Sequence, residues 1–393
     1  MGASSVLHRL LLFPLLFHRR SMSHLFTPLA LGPLTLANRI VVSPMCQYAV
    51  EDGNASDWHL MHLGQLAMSG AGLLVIEATA VEAEGRITPG DLGLYSDDNQ
   101  AALGRVLRAV RRHSRMPIAV QLGHAGRKAS SHVPWDGGQS LRPDEGAWTT
   151  SAPSALPHAP GEPEPLALDA AGLQRIKDAF VQAARRADAL GLDAIELHAA
   201  HGYLLHQFLS PIANRREDAH GGSLENRMRF PLEVFEAVRA AVPQRLPVGV
   251  RISATDWVEG GWDVAQSIVF AQALAARGCA FVDVSSGGVS PLQKIPVGPG
   301  YQVPLAEQVK AAVPGLPTFA VGLVTEPAQA EAIVAEDRAD AVALGRAMLF
   351  EPHWPWRAAM ELGAQVDVPP QYWRSQPREA KALFGDAARI GMR

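Results

Sequence analysis

The chain has 393 residues, 48% of them hydrophobic and 19% charged, with a formal net charge of −4. That length suits one large barrel or two ordinary domains, and the balance describes a soluble globular protein without a basic face for nucleic acid. Two cysteines, Cys46 and Cys279, exclude a disulfide framework and any cysteine-ligated iron–sulfur cluster or Cys-rich zinc site, and suit a reducing compartment, taken here as the cytoplasm.

Residues 1–22 stand apart. The run Leu10-Leu11-Leu12-Phe13-Pro14-Leu15-Leu16-Phe17 is too short to span a bilayer and is broken by Pro14, so no membrane association is expected. Arg19 and Arg20 follow the run instead of preceding it, which fits a secretory signal poorly. The favoured expectation is a start codon placed ahead of the true one at Met22, with a transit segment as the alternative. Residues 23–393 then form one domain.

From Leu25 onward, β-branched apolar runs alternate with helical patterns. Strands are expected at 40–43, 73–77, 118–122, 194–198, 248–252, 281–284, 318–321 and 341–344. Helices are expected at 58–69, 100–113, 170–190, 224–241, 264–276, 301–312 and 326–335. Eight strands apolar along their whole length imply burial on both faces, as in a parallel (β/α)8 TIM barrel. An open doubly wound sheet would carry a Gly-rich turn after its first strand, where this chain has Pro44-Met45-Cys46-Gln47-Tyr48. Residues 128–168 form a long excursion after the third strand, the usual place for a lid or a segment that shapes the site. The tail carrying Tyr372 and Arg374 lies outside the barrel and is expected to dock, against a neighbouring subunit among other candidates.

A barrel keeps its chemistry at the C-terminal ends of its strands. Strand four runs into His198, His201 and Tyr203, three donors suited to polarising an oxygen. Taken alone, the His-x-x-His pair is equally compatible with a zinc site or a polar corner. No third ligand or supporting carboxylate lies close by in the sequence, so no metal is expected. Gly322 and Gly345-Arg346, after strands seven and eight, have the place and composition of a phosphate site; the duller reading is a helix-start glycine with a solvated arginine. Gln121 and Arg251 point into the mouth from buried strands, and a buried guanidinium needs an anionic partner. An electron-rich heterocycle would supply one. His124 and Arg127 fit a role in structuring the long loop, and Cys279 reads as a small buried apolar residue.

Ser43-Pro44-Met45-Cys46-Gln47-Tyr48, Glu77-Ala78-Thr79-Ala80-Val81, Gln121-Leu122-Gly123-His124-Ala125-Gly126-Arg127-Lys128 and His198-Ala199-Ala200-His201-Gly202-Tyr203-Leu204 resemble the old yellow enzyme family of flavin-dependent ene-reductases. Asn214-Arg215-Arg216-Glu217-Asp218 and Gly221-Gly222-Ser223-Leu224-Glu225-Asn226-Arg227 continue the match, and Cys46 with Tyr48 resembles its NADPH dehydrogenase and xenobiotic-reductase branch. The resemblance covers the chain from about Leu25 to its end. It implies non-covalent FMN and NADPH as hydride donor. Ser43, Pro44, Met45 and Cys46 would line one side of the flavin, with Ala78, Gln121 and Arg251 at its polar edge and Gly322, Gly345 and Arg346 on its phosphate.

It further implies hydride transfer from NADPH through flavin N5 to the β-carbon of an α,β-unsaturated carbonyl, with quinones and nitro compounds as further acceptors. His198 and His201 would polarise the carbonyl, Tyr203 would donate the proton, and Tyr48 would contact the substrate. A homo-oligomer, dimer or tetramer, is expected. Two other classes compete: a metal-dependent hydrolase built on the two histidines, and a redox-inert flavin-binding sensor.

Overall fold

The computed structural model describes residues 23–380 and 382–385, so the expectation about residues 1–22 lies outside the described residues. In chain order the elements are β1 (Leu29–Leu31), β2 (Leu34–Leu36), β3 (Ile40–Val42), α1 (Asp57–Ala67), β4 (Leu73–Ala80), α2 (Asp97–Val110), β5 (Ile118–Gly123), β6 (Ser151–Ala152), β7 (Leu166–Ala167), α3 (Ala170–Ala189), β8 (Ala194–Ala199) and α4 (Leu204–Leu209). They continue with α5 (Leu224–Ala241), β9 (Val248–Ser253), α6 (Val264–Ala275), β10 (Val282–Ser285), α7 (Val303–Ala312), β11 (Thr318–Val321), α8 (Pro327–Ala335), β12 (Ala341–Leu344), α9 (Arg346–Phe350) and α10 (Trp354–Leu362).

Strands β3, β4, β5, β8, β9, β10, β11 and β12 close into a parallel barrel in that order, with β12 pairing back onto β3 through Leu344 opposite Val42. This is the expected TIM barrel. Alternate strand residues split between two apolar layers. Ile195 and Leu197 face the helices, while Ala119, Ala194, Phe281 and Phe319 fill the barrel floor. The rings of Phe281 and Phe319 stack there at 4.9 Å.

The short β1–β2 hairpin was not expected from the sequence, because three-residue strands carry too little periodicity. Its Leu29, Leu31 and Leu36 belong to the same apolar cluster as Phe281 and Phe319, so the hairpin plugs the N-terminal end of the barrel.

Half of the expected ends coincide with the observed ones, and the others shift by one to three residues for local reasons. Helix α2 begins at Asp97 because the Ser96 side chain caps it, accepting from the Asn99 N–H, and two acidic residues occupy its first turn. Strand β4 runs on to Ala80 through a register shift between Ile76 and Ala78.

The excursion holds three short 3-10 turns and the two-residue pair β6–β7. The tail folds back on its own chain: Val366, Val368, Leu383 and Phe384 cluster with Ala359, and Tyr372 lies 5.4 Å from the Trp356 ring. Tyr372, half-buried, thus packs against its own chain, in keeping with a docked tail, while Arg374 stays exposed. No helix among the described residues is long and apolar enough to cross a membrane.

Candidate active site

Strand β8 carries His198 into the C-terminal mouth, and the turn that follows carries His201 and Tyr203. His201 has a positive φ of 57°, an uncommon conformation for a residue with a side chain. The turn is held there by the His201 N–H donating to Ser253 Oγ at 2.9 Å and by Gly202 pressed against the β10 loop. A Cβ on Gly202 would lie 2.1 Å from the Gly288 oxygen, so only glycine permits this approach. Behind the turn, the Gly202 N–H donates to His206 Nδ1 at 2.8 Å, and His206 Nε2 lies 2.9 Å from the buried Asp256 carboxylate.

The three expected donors meet. The His198 ring lies edge-on 5.1 Å from that of His201 and 4.8 Å from that of Tyr203. Burial, then the Arg251 charge, holds both imidazoles well below the usual histidine range, so each is neutral near pH 7. Burial likewise pushes the Tyr203 phenol well above its ordinary value and keeps it protonated.

A neutral imidazole carries one N–H. His198 Nδ1 accepts from the Ala200 N–H at 3.3 Å, which leaves Nε2–H as its donor. His201 Nε2 lies 2.7 Å from Ser285 Oγ, whose hydroxyl also reaches Gln302 Oε1 at 3.4 Å. A narrow cleft opens beside His198 and Tyr203, walled by Ala78, Gly123, His124 and Asp91. Burial raises the Asp91 carboxyl to about 7, although the Thr88 hydroxyl and the Ile87 N–H both donate to it.

On the first strand's loop, Cys46 lies against the Ala78 backbone and Tyr48, and its thiol is pushed up by burial and by the charges of Asp91 and Glu77. A thiol held neutral in this way is a poor nucleophile. The Tyr48 ring meets Trp135 of the excursion edge-on at 5.5 Å.

Ser43, Met45 and Gly345 come together where the barrel closes: a Cβ on Gly345 would sit 3.6 Å from Met45 Sδ and 3.9 Å from Ser43 Cβ. Pro44, half-buried, links the first two. Gly322 has φ +117° and packs under Gln302, whose amide donates to the Val321 oxygen at 3.1 Å. Arg346 is exposed at the start of α9.

The anionic partner of Arg251 is within the protein. Its Nε lies 3.0 Å from Asp283 Oδ2, and Gln121 Nε2 donates to Glu196 Oε1 at 2.7 Å. Neither Asp283 nor Glu196 was singled out from the sequence. Both are carboxylates inside apolar strands, the same signal that marked Arg251. Lys128 and Ser285 were missed too, and no spacing argument would have found them. His124, bonded to Glu82 at 2.9 Å, and Arg127, donating to the Val289 oxygen at 2.8 Å, tie down the long loop.

The family model for the NADH:flavin oxidoreductase / NADH oxidase family matches residues 24–365. The chain belongs to this family. An NADPH dehydrogenase of Geobacillus thermodenitrificans is 44% identical over 352 residues, which is 89% of this chain and 98% of that protein. An NADH:flavin oxidoreductase of Gibberella zeae is 42% identical over 360 residues, 87% of each chain. Among solved structures, morphinone reductase superposes with a TM-score of 0.73 at 32% identity, covering 90% of this chain and 93% of that one.

The protein is accordingly an oxidoreductase of the NADH:flavin oxidoreductase family with FMN as its cofactor. The mouth fits that group on its own evidence. Ser43 Oγ is buried without a hydrogen-bond partner, and Glu196 Oε2 and Asp283 Oδ1 are likewise unsatisfied. Buried polar atoms are rarely left unpaired, and a flat polar heterocycle offers the donors and acceptors they need. Gly345 leaves room beside Ser43, and Arg346 supplies a cation at a helix start.

Proposed function

We propose that the protein is an NADPH-dependent ene-reductase: it moves a hydride from NADPH to the β-carbon of α,β-unsaturated carbonyl compounds, with quinones and nitro compounds as further acceptors. The observation that carries this reading is the meeting of two neutral imidazoles and a protonated phenol over one mouth. Relatives named NADPH dehydrogenase support the choice of donor, and a morphinone reductase structure contains tetrahydroNAD.

Bound FMN supplies the hydride relay between nicotinamide and acceptor. Ser43, Pro44, Met45 and Cys46 would line one side of it, Ala78, Gln121 and Arg251 its polar edge, and Gly322, Gly345 and Arg346 its phosphate. His198 and His201 donate to the substrate carbonyl oxygen and stabilise the enolate-like charge that grows there. Tyr203 gives its phenolic proton to the α-carbon. Tyr48 and the cleft beside His198 shape the acceptor site.

A homo-oligomer, dimer or tetramer, in the cytoplasm belongs to the same reading. Phe350, 94% exposed at the end of α9, is apolar surface that such an assembly would cover, and gel filtration checks it.

The deciding experiment is a visible spectrum of the purified, FMN-supplied protein. It is taken first alone, then after NADPH without air, then after 2-cyclohexenone. The ene-reductase is yellow, bleaches with NADPH and recovers its colour with the enone. A colourless, chelator-inhibited protein would instead be a metal-dependent hydrolase. A yellow protein that NADPH leaves unbleached would be a redox-inert flavin binder.

A further inference from the structure

Below the mouth, four neighbouring strands carry four polar side chains inside the barrel: Gln121 on β5 opposite Glu196 on β8, and Arg251 on β9 opposite Asp283 on β10. All four are buried, from 1% to 6% exposed. Beneath them Ala119, Ala194, Phe281 and Phe319 seal the floor. Above them lie His198, His201, Ser253 and Ser285, with Lys128 reaching in from the excursion.

The charges do not balance. Arg251 is the single cation among the four, and it faces Asp283 at 3.0 Å. Glu196 faces an uncharged amide, and its Oε2 has no partner. A second buried carboxylate without a countercharge costs several kcal/mol, and such a group keeps its proton instead. Burial, followed by the Asp283 charge, raises the Glu196 carboxyl to about 8, while Arg251 and the Gln121 hydrogen bond pull the other way.

We infer that Glu196 is held as a neutral carboxylic acid beneath the flavin site and sets the reduction potential of bound FMN by keeping the barrel floor uncharged. This rests on the proposed placement of FMN over Gln121 and Arg251. Hydride transfer to FMN takes two electrons and one proton from NADPH, releases NADP+, and leaves one added negative charge beside that floor. With Glu196 protonated and Arg251 paired to Asp283, the floor is neutral and accepts this charge. An ionised Glu196 would oppose it. Glu196 is a positioning residue, since its Oε1 also ties down the Gln121 amide and leaves the Gln121 carbonyl free to face the ring.

The test is the midpoint potential of the FMN-loaded enzyme, titrated with redox dyes on both sides of about pH 8, in wild type and Glu196→Gln. Wild type should show an extra fall in potential as pH rises through that value. Glu196→Gln, an uncharged mimic, should match wild type below it and lose the extra fall above it. A shifted potential in the variant below that pH, or survival of the extra fall, overturns the inference. In parallel, infrared spectra of the FMN-free protein near neutral pH should contain a protonated-carboxyl stretch that Glu196→Gln removes. A wild-type spectrum without that band also overturns it. Failure to bind FMN would sink the proposed function, whereas the infrared band reports on Glu196 regardless.

Discussion

Lys128 donates to the backbone oxygen of His201 at 3.0 Å and to that of Gly288 at the same distance, so one ammonium straps the β8 turn to the β10 loop. It also lies 5.1 Å from the Tyr203 ring centre. The excursion thereby contributes directly to the position of two proposed catalytic groups. Lys128→Met removes a charged donor from two carbonyls, a loss of about 1–3 kcal/mol. The expected outcome is a lower thermal midpoint together with slower enone turnover and retained FMN, checked by melting and by stopped-flow reoxidation.

His198→Ala combined with His201→Ala should keep bound FMN and its reduction by NADPH but abolish measurable enone turnover. Each lost donor is worth about 3 kcal/mol of transition-state stabilisation. Undiminished turnover in the double variant would remove the carbonyl-polarising role.

The same two histidines predict how stability changes with pH. Unfolded, each takes up its proton near 6.5, whereas in the folded protein burial and Arg251 keep both neutral well below that value. Below 6.5 the unfolded chain therefore binds more protons, so this contribution is complete above 6.5 and is lost as pH falls. Urea midpoints across this range should drop less steeply toward acid for the double alanine variant than for wild type.

Tyr203→Phe removes the phenolic proton but keeps the ring against His198. It should slow reoxidation by an enone more than reduction by NADPH in separate half-reaction measurements. Equal slowing of both would end the proton-donor assignment.

Gly322→Ala tests the phosphate site. Its φ of +117° is strained for any residue with a side chain, and the new Cβ would lie 2.6 Å from Gln302 Nε2. Strain of this kind costs about 1–3 kcal/mol. The expected effect is FMN release at concentrations where wild type stays saturated, measured by flavin fluorescence on dilution.

Much of the barrel was legible because buried parallel strands are apolar along their whole length, and the eight runs chosen on that basis are the eight that close. The β1–β2 hairpin was not, since Leu29–Leu31 and Leu34–Leu36 are too short to show a period. At the mouth, His198, His201 and Tyr203 were readable from their spacing past a strand. Arg251 was readable as a charge in an apolar run, but its pairing with Asp283 required knowing that β9 and β10 are neighbours. Ser285 and Lys128 act through contacts between distant loops, which no local pattern encodes. The aromatic tail was correctly placed outside the barrel, yet its cover, Trp356 and Phe384, comes from its own chain.

The closure of β12 on β3 carries a consequence for biosynthesis. Ser43 emerges from the ribosome long before Leu344, whose oxygen accepts from the Ser43 N–H at 3.0 Å, and the adjoining Gly345. Until then the nascent chain holds half a cradle and an open strand edge that it must shield. On the proposed placement of FMN, its capture waits for the last barrel strand, so colour would mark closed barrels and not growing chains.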